Sequence, residues 1–158
     1  MLLADVVAAS AAVAATRSRT AKARAIAELL GRAGPDEVEP VAAWLAGEPR
    51  QGRLGVGWRS VSRMAGDPAP APSLTVAGLD DLLTRLASTS GSGSAARRDA
   101  LLGSLLSAAT ADEQQFLVRL LTGELRQGAL EGVVLDAVAT AADVPPASVR
   151  RAFHRDGL

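Results

Sequence analysis

The chemistry available to this chain is concentrated in one polar motif that occurs twice. Gly47-Glu48-Pro49-Arg50-Gln51-Gly52 returns 76 positions later as Gly123-Glu124-Leu125-Arg126-Gln127-Gly128, with Leu45 and Leu54 matched by Leu121 and Leu130. A guanidinium offers a planar fork of donors suited to phosphate oxygens, and a carboxamide adds a neutral donor. Glycine lets the backbone approach another body, and free amides of a following helix add further donors. The motif therefore reads as an anion-gripping turn. A purely local alternative exists in each copy: glycine shapes the turn while the Arg pairs with Glu48 or Glu124, or caps carbonyls. Repetition of a polar tetrad favours a common external ligand, because a duplicated core would repeat as interchangeable apolar residues instead.

Other groups with binding chemistry lie beside these turns in sequence. Arg17, Arg19, Lys22, Arg24 and Arg32 face only Glu28 in one stretch, a basic island in an otherwise balanced chain. The matching positions of the second half hold Arg97 and Arg98, and a third basic group is Arg150, Arg151 and Arg155. Ser88 to Ser94 is a flexible Ser/Gly loop that reads either as a solvated connector or as an anion site, since it feeds a helix start beside Arg97 and Arg98. Gly55 and Gly57 extend the first turn, as Gly132 extends the second; they either expose amides or let Trp58 pack closely beneath. Trp44 and Trp58 both fall in helical apolar patterns and are expected in the core rather than as stacking platforms.

Catalytic constellations are missing from the sequence. There is no Cys, His154 is the sole His, and the sole Lys, Lys22, ends no phosphate-cradling Gly-rich loop. The carboxylates sit mostly at helix starts and in the turns, where caps and local ion pairs account for them.

The elements that must position the turns are helical. Hydrophobic residues make up 48% of the 158 and aromatics 3%, with Ala, Leu and Val dominant, so composition leans towards closely packed helices around a real core. Apolar periodicity with start and stop signals predicts helices over about 2–15, 19–33, 36–46 and 56–66, then 77–89, 94–109, 112–122, 130–142 and 146–155. Asp36 and Asp112 are expected as N-caps, Pro145-Pro146 as a helix start, and Asp67 to Pro72 as an extended linker between halves 1–72 and 73–158. At the 76-residue offset about a quarter of positions are identical, which marks a duplicated architectural unit. The apolar opening segment aligns with an internal amphipathic stretch from Leu79 to Leu86, so it is expected to be the first helix rather than a signal peptide. With 17 basic and 17 acidic residues, the zero net charge argues against a protein that coats nucleic acid indiscriminately.

The run Phe116 to Val138, with Ala142-Asp143-Val144-Pro145 and Val149-Arg150-Arg151-Ala152, resembles the N-terminal DNA-binding domain of ATP-dependent DNA ligases, most of all the actinobacterial ones. The first half agrees through Arg17 to Lys22, Ile26 to Leu30, Trp44 to Glu48 and Gly57-Trp58, so the likeness spans the chain. It implies an all-α domain of two pseudo-symmetric halves that grips nicked duplex DNA through the minor groove and backbone phosphates, without reading sequence. The implied DNA contacts are Arg50, Gln51, Gly52, Arg53, Gly55 and Gly57 of the first turn, and Arg126, Gln127, Gly128 and Gly132 of the second. Ser92, Gly93, Ser94, Arg97 and Arg98 of the loop, with Arg17, Arg19 and Lys22 of the island, complete the set.

The resemblance also implies partners and limits. No Lys-x-Asp-Gly nucleotidyltransferase motif is present. The chain is therefore expected to be a non-catalytic part of a longer ligase, ending near a natural boundary at Leu158 and binding no cofactor itself. ATP and Mg²⁺ would serve the full-length enzyme, whose catalytic and OB domains would be its partners in replication, repair or recombination. The setting expected is a bacterial cytoplasm, nucleoid-associated, with a monomeric domain and no membrane contact. Such domains are often clearly basic and this one is neutral, which predicts weak binding in isolation. The competing class is a helical repeat scaffold for a protein partner, distinguished by the salt dependence that counterion release imposes on phosphate binding.

Overall fold

The computed structural model describes residues 1–125 and 132–134. Among them are seven helices: α1 (Leu3–Ala14), α2 (Arg19–Arg32), α3 (Val38–Leu45), α4 (Trp58–Met64), α5 (Val76–Ser88), α6 (Ser94–Ser107) and α7 (Ala111–Thr122), with a further helical turn at 132–134. No strand occurs among the described residues beyond one isolated antiparallel bridge, Leu2 with Thr75. The fold class is all-α, as expected. Of the helix expected over 130–142 only 132–134 are described, and the helix expected over 146–155 with its Pro145-Pro146 start, His154 and the last basic group lie outside the described residues.

The opening segment is a helix because its apolar side chains recur on one face: Leu3, Val6 and Val13 of α1 are buried. α1 packs against α2, α3 and α7, while α4 packs on α6 and α7, and α5 on α3 and α6. The two sequence halves supply one hydrophobic cluster, with Ile26, Leu29, Val41 and Trp44 from the first and Leu79, Leu83, Leu102, Leu105 and Leu117 from the second. The starts of α1 and α5 meet reciprocally: Leu3 N donates to Leu74 O at 2.8 Å and Val76 N to Met1 O at 3.0 Å. The Asp67 to Pro72 connector is non-helical but anchored, since Ala69 N donates to Ala109 O at 2.8 Å, and just before it Gly66 O accepts from Gln114 Nε2 at 3.2 Å.

Two local expectations are corrected. The residue that caps α7 is Thr110, whose hydroxyl accepts from Glu113 N while the Glu113 carboxylate accepts from Thr110 N at 2.8 Å; Asp112 lies inside the first turn. At the start of α3 it is Glu37, not Asp36, that works: its carboxylate accepts from Gly34 N at 2.7 Å and from the Met1 ammonium at 2.7 Å. Those contacts, the ammonium first, hold the Glu37 carboxyl below its ordinary value against the opposing effect of burial. Trp58 is the second correction. Trp44 is buried in the core, but Trp58 is 59% exposed at the start of α4.

Candidate functional site

Helix α3 ends because Gly47 takes a left-handed conformation (φ 102°), which returns Glu48 N to Ala43 O at 3.1 Å and Gly47 N to Trp44 O at 2.9 Å. Gly52, also left-handed (φ 83°), closes a tight turn through its amide to Pro49 O at 2.9 Å. Between these glycines Arg50 and Gln51 are aimed at α5. Arg50 holds the Asp80 carboxylate through Nε to Oδ1 and Nη2 to Oδ2, both 2.9 Å. Gln51 Nε2 lies 2.9 Å from Asp80 Oδ1 and 2.9 Å from Thr84 Oγ1. The local alternative named Glu48 and carbonyls as the partners of this Arg; the partner is instead a carboxylate 30 residues away, in the other half.

The turn is fastened at a second point. Arg98 of α6 donates through Nη2 to Leu54 O, and the same guanidinium lies beside Gly55, itself left-handed (φ 66°). Gly57 is not required by its own conformation (φ −86°), and a Cβ there would meet nothing within 4 Å. Close packing of Trp58 is therefore not what Gly57 provides. Arg53 is exposed on this turn.

Arg97 clasps the Ser/Gly loop, donating to Ser90 O at 2.9 Å and Ser92 O at 3.1 Å. The loop enters α6 through Gly93 (φ 76°), which supplies no side-chain cap, and Ser94 is the first helical residue. The amide of Ser94 turns back to Gly91 O at 3.2 Å.

The second turn begins in the same way, with Gly123 left-handed (φ 83°) at the end of α7 and Leu125 N returning to Arg119 O at 3.2 Å. Arg126, Gln127 and Gly128 lie outside the described residues. The two turns nevertheless meet: Gly47, Gly52, Arg53 and Gly55 share a cleft of about 360 Å³ with Leu120 to Gly123. On its other side the second turn meets the basic island. Lys22 lines a small cavity with Arg119 and Leu125, and Arg19 Nη2 lies 3.9 Å from where a Cβ would stand on Gly132. Arg17 is exposed just before Ser18, whose hydroxyl caps α2 by accepting from Ala21 N at 3.1 Å.

The arrangement is thus crossed. The first turn rests on the second helix of the second half through Arg98, while Leu125 of the second turn lines a cavity with Lys22 of the second helix of the first half and Gly132 lies near Arg19 of that helix. Lys22 and Arg98 are matched positions at the 76-residue offset. Chemically, such seats offer guanidinium and ammonium donors and glycine-exposed backbone, which suits anionic oxygen. No group of three or more His, Cys, Asp or Glu among the described residues is placed to hold a metal. No helix among them is long and apolar enough to cross a membrane.

Several residues at this site were not singled out from sequence. Asp80 and Thr84 receive the first turn, and no local pattern marks them. Arg119 is exposed on α7, where it lines the cavity with Lys22 and Leu125 and the groove beside Trp58, and it reads in sequence as an ordinary helix-face cation. Arg59 is exposed beside Trp58.

The family model described as DNA ligase N terminus matches residues 59–139. A probable DNA ligase of Rhodococcus jostii is 56% identical over 157 residues, covering 99% of this chain and 31% of that protein. A probable DNA ligase of Saccharopolyspora erythraea is 58% identical over 159 residues, again covering 99% of this chain and 31% of the relative. One from Nocardia farcinica is 56% identical over 157 residues, covering 30% of its length. The chain therefore spans under a third of the length of the curated relatives it matches.

Proposed function

The chain belongs to the DNA ligase N-terminus family, and we propose that it holds duplex DNA at a nick by its phosphate backbone, independently of sequence. The observation that supports this reading is the placement of the first turn against α6 through Arg98, with the described start of the second turn lining a cavity with Lys22 of α2. Backbone contacts position a duplex without reading it, which is what a protein acting at breaks in arbitrary sequence requires. Arg53, Arg17, Arg19 and Lys22 act as contacts, and Arg97 and Arg98 both fasten the loop and the turn through carbonyls and present their charge to the same face, with Gly52, Gly55, Gly57 and Gly132 letting phosphates approach the chain. Ser92, Gly93 and Ser94 line the same approach, and Arg126, Gln127 and Gly128 are the second turn's own contribution. Arg50 and Gln51 act chiefly as positioning residues, because their donors are turned to Asp80 and Thr84.

In a longer protein of the kind its relatives represent, this domain presents the nick to a nucleotidyltransferase that uses ATP and Mg²⁺, and it performs no bond chemistry itself. The two halves act as one unit descended from a duplicated segment. The test is fluorescence anisotropy of a nicked duplex titrated with the chain at several salt concentrations, beside intact duplex. Binding that weakens steeply with salt is the expected result. Absence of binding even at low salt would sink the reading and favour a protein-binding scaffold, for which the Ala-lined groove of about 410 Å³ between α1 and α7 would be the surface.

A further inference from the structure

Trp58 and Leu2 are the exposed large hydrophobic residues among those described, and Trp58 is the more exposed at 59%. Its indole forgoes the burial that Trp44 has in the core; a single exposed apolar side chain needs no occupant by itself, and what singles out Trp58 is its surroundings. It stands directly after the Gly55-Val56-Gly57 continuation of the first turn, with exposed Arg59 next to it and exposed Arg53 on the turn itself. Beyond the indole a groove of about 540 Å³ opens between α4 and α7, and Ser62, Gln115, Val118 and Arg119 help to line it. No carboxylate is among the groove's described lining residues, whereas an amide, a hydroxyl and a cation are. That mixture of Arg and Gln donors around one apolar wedge is the chemistry that minor-groove surfaces use.

Resting on the DNA-binding reading above, we propose that Trp58 is a DNA-contact residue, supplying an apolar contact to sugars or a base step in the minor groove while Arg119 and Gln115 face the groove edges. Neutral contact of this kind releases no counterions. Its contribution therefore adds to affinity without adding to the salt slope, and it compensates for the zero net charge of the chain.

The test is the same anisotropy titration with Trp58→Ala and Trp58→Phe. Trp58→Ala is expected to bind nicked duplex about tenfold more weakly, with Trp58→Phe recovering most of the loss and both keeping the wild-type salt slope. Trp58 fluorescence, read as the acrylamide-quenchable part of the emission because Trp44 is buried, should become shielded when DNA binds. Wild-type affinity in Trp58→Ala, or an indole that stays quenchable on saturating DNA, overturns the inference and leaves the phosphate-binding reading standing. A wild-type chain that binds no DNA in any salt removes the premise as well.

Discussion

Replacing Asp80 separates two roles for the Arg of the first turn. If Arg50 is held as a structural clamp, Asp80→Ala strands a guanidinium that made two parallel charged hydrogen bonds and an amide that made a third. Charge-assisted bonds contribute about 1.5–3 kcal/mol each when removal leaves a buried partner unpaired. Here the side chains are 34% and 17% exposed, so water recovers part of that cost. Alanine in the middle of α5 returns about 0.5 kcal/mol of helix propensity. A net loss of about 2 kcal/mol follows, or about 4–8 °C in the melting temperature of a domain this size. A double-mutant cycle of Asp80→Ala with Arg50→Ala, measured by urea unfolding, should show a coupling of about 1–2 kcal/mol. The same variants decide the functional role by sign. Asp80→Ala makes the chain more positive, so if Asp80 merely competed with phosphate for Arg50, DNA binding would tighten. A positioning role requires it to weaken. Additive stabilities within about 0.5 kcal/mol, together with tighter DNA binding, would refute the clamp.

Arg53→Ala should lower the slope of log affinity against log salt by about one unit in the anisotropy titration and leave the melting temperature unchanged, since the side chain is exposed. Glu37→Gln should cost about 1 kcal/mol at pH 7, because the Met1 ammonium and the Gly34 amide lose a charged acceptor. The folded carboxyl is depressed below 4.5, so its stabilisation is fully present above that pH and is lost as pH falls through the folded value. Thermal melts of wild type and Glu37→Gln should accordingly converge in acid, and a constant gap from pH 7 to pH 3 would contradict the assignment. Thr110→Ala should destabilise by about 1 kcal/mol in denaturant melts by removing the α7 cap, whereas Asp112→Ala should cost distinctly less.

The helices were legible because their apolar residues recur at helical spacing and their boundaries carry local punctuation. Glycine at the end of α3 and α7 is local in the same sense, and the left-handed Gly47 and Gly123 sit where the motif placed them. The caps were half legible. The repeat pairs Asp36-Glu37 with Asp112-Glu113, but the member of each pair that works is the Glu, which accepts the amide three residues earlier in both copies. Reading Thr110-x-x-Glu113 as a reciprocal cap would have found it. Trp58 misled because α4 is only seven residues long, with Val61 its buried side chain, and two turns of pattern cannot fix which face is inward. The Arg50 partner was illegible for a different reason. A contact across 30 residues between halves leaves no periodic trace.

That contact bears on the double occurrence of the Gly-Glu-x-Arg-Gln-Gly motif. At the 76-residue offset, Asp80 and Thr84 are matched by Ala4 and Ala8 in α1, neither of which offers a side-chain acceptor. The clamp that holds the first turn therefore has no counterpart in sequence for the second, although Arg126-Gln127-Gly128 is kept intact. A clamp of the same kind would find no side-chain acceptor at those matched positions for Arg126 and Gln127. What both copies share is the glycine-bounded turn, the Arg-Gln pair and a basic residue on the facing helix, Arg98 for one and Lys22 for the other. On the proposed reading, a duplex with a phosphate backbone on each side of its minor groove would offer both turns the same ligand outside their own halves. The first turn is in addition locked to α5 through Asp80.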